Sequence, residues 1–262
     1  GGHYPGTITG KPVGMGGSLG RTEATGYGVI YTLREALKAL KIDIASTTAS
    51  LQGFGNVAEY AAKLYTAMGG KIIAISCWDN NDKKAYTYRN PEGINIEQMA
   101  QIKDSFGTID KQKAIDFGCE LLEGEAWISQ DVDILLPCAL ENQITPETFA
   151  KISKEVKVIC EGANGPTTPD CDELIKERGI YLIPDFLCNA GGVTCSYFEQ
   201  VQCNMNYFWP KEEVLDKLDQ KMTAAFHAVH NLAQEKGLYM RDAAYVIAIN
   251  RVAEAVKLRG WI

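Results

Sequence analysis

The stretch SLQGFGNVAEYAAKLYTAMGGKIIAISCWDNND, Ser50 to Asp82, reads as one strand–helix–strand unit. The apolar run TASLQGF is a strand, Val57 to Met68 a helix, and KIIAISC a second strand. Between the first strand and the helix, GFGNVA sets Gly53, Gly55 and Ala58 in the spacing G-x-G-x-x-G/A. The first glycine permits a tight turn, the second lets a pyrophosphate approach the backbone, and the small third residue lets helix and strand pack closely. Free N–H groups at the helix start, with the helix dipole behind them, favour an anion there. The motif alone is common by chance; a strand before it and a helix and strand after it are the context that gives it meaning.

The tip of the second strand is unusual. A dinucleotide-binding protein commonly places an acid there for the adenosine ribose, roughly 20 residues beyond the first glycine. Here the residues are Ser76, Cys77, Trp78 and Asp79. The absence of a carboxylate at Cys77 removes both a ribose acceptor and a charge that repels a 2′-phosphate. Asp79 or Asp82 can reach back to take that role. Lys83, Lys84 and Arg89 can pair with a phosphate or form an ordinary solvated loop. The tip offers Asp79 and no basic residue of its own, which favours NAD, with NADP or dual use left open. Cys77 has no evident base or cation beside it and marks a relaxed ribose pocket rather than a reactive thiol.

Working outward, the glycine-rich opening, residues 1–21, lacks apolar periodicity and reads as a linker or interdomain segment. Gly1 and Gly2 are either a cloning remnant or a domain boundary. Thr22 to Leu40 has helical spacing at Val29, Leu33, Ala36, Leu37 and Leu40. After the central unit, Asn80 to Asn95 is polar and turn-rich. Strand and helix then alternate again: DVDILLPCAL, Pro146 to Ile152, VKVICEGA, Pro169 to Arg178 and IYLIPDF. Such alternation predicts a Rossmann-type, doubly wound α/β fold with a mostly parallel sheet and helices on both faces. Two long amphipathic helices, Lys211 to Lys236 and Arg241 to Leu258, close the chain, the first starting at Pro210. Residues 22–262 are thus expected to form one dinucleotide-binding domain.

Composition narrows the class. With 262 residues, 46% hydrophobic and 23% charged, the chain can bury a sizeable core as a soluble globular protein. A net charge of −7 argues against a nucleic-acid surface, and no apolar run is long enough for a membrane span. The eight cysteines are scattered without a CxxC and read as reduced thiols of a cytoplasmic protein. His227 and His230 share a helix at i, i+3 but lack matching ligands, so no metal site is expected.

Four longer stretches go beyond a generic fold: TGKPVGMGGSLGRTEATGYGV, PCALENQIT, CEGANGPTTPD and PDFLCNAGGVTCSYFEQVQ. Together with the terminal AAYVIAINRVAEAVKLRGWI they resemble the cofactor domain of hexameric glutamate dehydrogenases, in the glutamate/leucine/phenylalanine/valine dehydrogenase superfamily. The resemblance covers essentially the whole chain. It implies oxidative deamination of L-glutamate to 2-oxoglutarate and ammonia, with a hydride passing from the α-carbon to NAD(P)+. It also implies roles by position. Thr25 and Asn189 would hold the nicotinamide carboxamide. Phe54, Gly55, Asn56 and Val57 would lie along the pyrophosphate, and Ala139 and Asn164 would border the nicotinamide ribose. Val193 and Ser196 would line the substrate side-chain pocket, where a hydroxyl suits a γ-carboxylate better than a purely apolar wall does.

The family's acid–base lysine and aspartate lie in an N-terminal domain with no counterpart here, so no catalytic residue is assigned. This chain is expected to bind dinucleotide without turnover, and the full-length protein to be a homo-hexamer. A leucine- or valine-type dehydrogenase domain and a non-catalytic nucleotide-binding module are the alternatives. Gln200 and Cys203 depart from the family pattern.

Overall fold

A computed structural model describes residues 4–105 and 107–261; the question raised by Gly1 and Gly2 lies outside the described residues. One seven-stranded sheet carries the fold, in the order β4-β3-β2-β1-β5-β6-β7. The strands are β1 (Thr48–Gln52), β2 (Lys71–Asp79), β3 (Lys84–Arg89), β4 (Glu120–Glu123), β5 (Ile134–Pro137), β6 (Val158–Cys160) and β7 (Tyr181–Ile183). From β2 through β7 every pairing is parallel, with Leu51 beside Ile75 on one side and Leu136 on the other. This is the mostly parallel Rossmann-type sheet that the alternating pattern predicts.

Strand alternation sends apolar side chains to two cores. Leu51, Ile75, Leu136 and Val158 face α1 (Ala24–Ala39), α2 (Asn56–Ala67) and α9 (Lys211–Lys236), meeting Leu33, Ala61 and Phe226. Leu135, Ile159 and Leu182 face the opposite way, onto Trp127, Phe149 and Ile175. Phe149 comes from α5 (Pro146–Phe149) and Ile175 from α6 (Asp172–Glu177). Leu51 is fully buried, so truncating it to alanine costs about 2–5 kcal/mol.

The segment expected to be only polar loop and turn holds a strand. β3 folds back antiparallel on β2, with Cys77 opposite Tyr86 and Asp79 opposite Lys84, and β4 extends the edge. Its KAYTYR sequence lacks a strong apolar alternation; pairing with β2 and β4 holds it, and Tyr88 adds one buried ring to the core. A helix, α8 (Gly191–Met205), also forms where no periodic signal stood out. Its opening glycines serve close approach: a Cβ on Gly28 of α1 would sit 2.9 Å from the Gly191 Cα.

The glycine-rich opening is laid along α8. Glu199, fully buried, accepts from the Gly10 and Lys11 amides at 2.9 and 3.2 Å and from the Lys11 ammonium at 2.6 Å. Nearby, Gln202 donates to Ser18 at 2.8 Å. The remaining helices are α3 (Ile96–Gln101), α4 (Lys111–Asp116), α7 (Asp185–Cys188) and α10 (Met240–Leu258). Among the described residues no helix is long and apolar enough to cross a membrane. All eight cysteines are free thiols.

Candidate functional site

The chain leaves the central strand β1 for β2 on one side and later returns to β5 on the other. That reversal opens a crevice beyond the carboxyl ends of β1 and β5, the place where open α/β sheets bind ligands. A cleft of about 950 Å³ lies there, bounded by Gln52, Gly53, Gly55, Cys77, Trp78 and Ala139.

Gly53 turns the chain out of β1 at φ +94°, and a Cβ there would fall 2.9 Å from that of Ala139. Both the backbone angle and the neighbour demand glycine. Gly55 is the N-cap of α2, and a Cβ on it would meet nothing within 4 Å. The turn therefore shows bare backbone to the cleft just where the first amides of a 12-residue helix lack internal partners. This opening fits a pyrophosphate. Asn56 fixes the approach of the preceding segment by donating to the Thr22 carbonyl at 2.7 Å. The Phe54 side chain is buried in the core, and its carbonyl accepts from Lys103 at 3.2 Å. Val57 packs partly buried against the same core, while Phe54 also borders the cleft.

The strand tip divides. Cys77 borders the cleft, but its thiol is buried, donates to the Gly107 carbonyl at 2.9 Å and is pushed by burial up to about 11. It is an unreactive group. Asp79 is turned away from the cleft. Its carboxylate pairs with Lys111 of α4 at 2.7 Å and accepts from the Asn81 and Asp82 amides at 2.7 and 3.0 Å. Burial raises its pKa, but Lys111 and those amides outweigh burial and hold it below the ordinary aspartate value. A carboxylate so occupied does not reach back to a ribose. Arg89 is likewise engaged, by Glu120 and Gln130. Lys84, at the start of β3, borders the cleft, as do Glu123 and Glu125.

On the far side of the turn the other expected residues gather in two groups. Asn189, at the end of α7, donates to the Asn164 side chain at 2.7 Å. Asp185 anchors that pair by accepting from the Gly165 amide at 2.8 Å. In the second group, Thr25 Oγ1 lies against Gly192, close enough that no Cβ fits between them. Ser196, one helical turn on, accepts from Arg21 Nε at 3.1 Å. Val193 is 68% exposed beside them.

Arg21 and Gln52 escaped the reading of the sequence. Arg21 precedes Thr25 by four residues, the helical spacing that puts two side chains on one face. Gln52 is buried at the strand end and donates to Gln143 at 2.6 Å, while its own Oε1 has no partner. Its place directly before the glycine turn was the available signal.

Comparison with known proteins bears on this geometry. The chain is 44% identical over 257 residues to the NAD-specific glutamate dehydrogenase of Clostridioides difficile, spanning 98% of itself and 59% of that protein. Among solved structures, the glutamate dehydrogenase of Peptoniphilus asaccharolyticus superposes with a TM-score of 0.82 at 40% identity, over 98% of this chain and 58% of that one. That of Plasmodium falciparum superposes at 0.89 with 28% identity, over 98% and 56%. The chain thus spans less than two thirds of the length of each of these relatives. The family model for glutamate/leucine/phenylalanine/valine dehydrogenase matches residues 16–260. The glycine turn facing Ala139 and the Asn164–Asn189 pair therefore sit in a chain that belongs to the glutamate/leucine/phenylalanine/valine dehydrogenase family.

Proposed function

We propose that residues 22–262 are the dinucleotide-binding domain of an NAD-dependent L-glutamate dehydrogenase, with residues 1–21 leading into it. The observation that carries this reading is the Gly53–Gly55 turn: bare backbone at a helix start, bordering a cleft of about 950 Å³ at the carboxyl ends of β1 and β5. When bound, NAD+ supplies the acceptor for the hydride that leaves the glutamate α-carbon. The chain's own residues bind and orient. The α2 amides hold the pyrophosphate, and Thr25 and Asn189 hold the carboxamide. Asn164 fixes the Asn189 amide, which selects the ring face presented to substrate.

Arg21 and Ser196 support glutamate as the substrate. A guanidinium and a hydroxyl 3.1 Å apart suit a side-chain carboxylate. Leucine or valine would leave both groups unpaired, which is the physical basis for rejecting them. A purely nucleotide-binding module would have no use for this polar pair. NAD is supported by the name of the Clostridioides relative and by charge: Glu123 and Glu125 line the cleft with a single lysine, Lys84, a poor setting for a 2′-phosphate.

Neither acid–base group expected of the family lies in this chain, so the chain alone binds without turning over, and the complete enzyme works as a cytoplasmic homo-hexamer. Calorimetric titration of the purified chain with NAD and NADP tests the reading. Binding of NAD in preference to NADP, with no glutamate-dependent reduction, is expected. NADP preferred, or steady turnover by this chain alone, would overturn the corresponding part.

A further inference from the structure

We propose that Lys103 is a positioning residue for the glycine turn: its ammonium holds the Phe54 carbonyl and the Glu59 carboxylate so that the start of α2 stays open to a pyrophosphate. The inference rests on the dinucleotide reading above. Lys103 lies just beyond α3, bridges to Ile109, and stands 49 residues from the turn it serves. Its Nζ donates to the Phe54 carbonyl at 3.2 Å and to Glu59 Oε2, and sits 5.3 Å from the centre of the Phe54 ring. The Lys103 side chain is 19% exposed, so little water competes for these contacts.

The Phe54 contact sets the direction of the turn. A peptide unit is planar and trans, so its carbonyl and its N–H point opposite ways. Drawing the Phe54 carbonyl onto Lys103 therefore directs the Gly55 N–H away from the lysine. Gly55 is the N-cap of α2 and borders the cleft. A reversed peptide would present a carbonyl oxygen to the phosphates in place of an N–H. The Glu59 contact sets the charge. Glu59 lies in the first turn of α2, where its carboxylate would compete with an anionic ligand for the helix start. Both of its oxygens are taken, Oε1 by Lys63 at 2.8 Å and Oε2 by Lys103. Burial raises its pKa, but the two lysines outweigh burial and hold it below the ordinary glutamate value, so its charge has to be balanced at neutral pH. Lys63 is shared with Glu97 at 3.7 Å, so the balance needs Lys103. The glycine spacing itself contains no lysine; the cation is delivered by a separate segment.

The test uses the whole chain with NAD and ADP-ribose as probes, read by calorimetry at fixed salt. Lys103→Met should weaken both by about tenfold. Lys103→Arg, which keeps the charge and the donors, should stay within about threefold of the wild type. Adding Glu59→Gln to Lys103→Met should recover part of the lost affinity, because no unbalanced carboxylate then faces the phosphates. A role confined to holding the fold together would give no such rescue in protein that is already folded, and circular dichroism with a thermal melt checks that each variant is. Should Lys103→Met not fold, Lys103→Gln, which retains a donor without the charge, takes its place in the same comparison. If the uncharged variant binds NAD as the wild type does, or if Glu59→Gln restores nothing, the positioning role is refuted while the dinucleotide reading stands. If the wild type binds neither probe, both fall.

Discussion

Arg241 closes a bidentate ion pair on Glu161, Nη1 donating to Oε2 at 2.9 Å and Nη2 to Oε1 at 2.8 Å. Glu161 is fully buried. Burial pushes its pKa up, against the pull of the guanidinium, so the pairing keeps a charge where none would otherwise be tolerated. The same arginine reaches Asp172 at 3.1 Å and Asp185 at 3.6 Å, and Glu161 Oε2 accepts from the Asp185 amide. Through Asp185 this network fixes the loop that presents Asn164. A residue of α10 thus braces the loop that carries Asn164 and its partner Asn189.

Replacing Arg241 by methionine leaves Glu161 buried without its partner and should cost about 3–5 kcal/mol in urea unfolding. Adding Glu161→Gln should recover part of that loss, because the stranded charge is then gone. A single variant as stable as the wild type would mean the pair contributes nothing.

The two glycines of the turn should fail differently. Gly53→Ala meets both a forbidden φ of +94° and the Ala139 methyl, and should lose about 1–3 kcal/mol of stability. Gly55→Ala enters open space, so it should stay within about 1 kcal/mol of wild type while weakening NAD binding at the pyrophosphate. Unchanged NAD affinity in Gly55→Ala would remove the turn from the binding site.

Glu199 gives a pH dependence of defined sign. Burial raises its pKa, but Lys11 and the Gly10 and Lys11 amides outweigh burial and hold it below the ordinary glutamate value of 4.5. Its grip on the opening segment is therefore complete above pH 4.5 and lost as the pH falls through the depressed value. The Gly10 amide shift, followed by NMR, should titrate with a midpoint below 4.5. A midpoint at or above that value would contradict the pairing. Glu199→Gln should abolish the titration.

The parts of this fold that depend on local pattern were legible in the chain. β1, the glycine turn, α2 and β2 follow from apolar run, glycine spacing and helical period, and α9 has the bounds that its amphipathic pattern and Pro210 predict. What escaped was held by distant partners. β3 is a strand because β2 and β4 flank it, and α8 is a helix although it opens on glycines, because those glycines allow contact with α1.

By itself, then, the sequence determined the Rossmann-type architecture and the glycine turn that opens α2, since both are set by neighbours along the chain. Tertiary structure alone decided what the strand tip does. The sequence could not tell whether Asp79 faces a ribose; Lys111, brought in on a separate helix, pairs with it and turns it away. Nor could spacing show that Arg21 meets Ser196, or that Gln52 and Trp78 share one cleft. Those relations exist only once the strand order has reversed about β1, with β2 on one side and β5 on the other, and remote segments meet at the carboxyl ends of the strands.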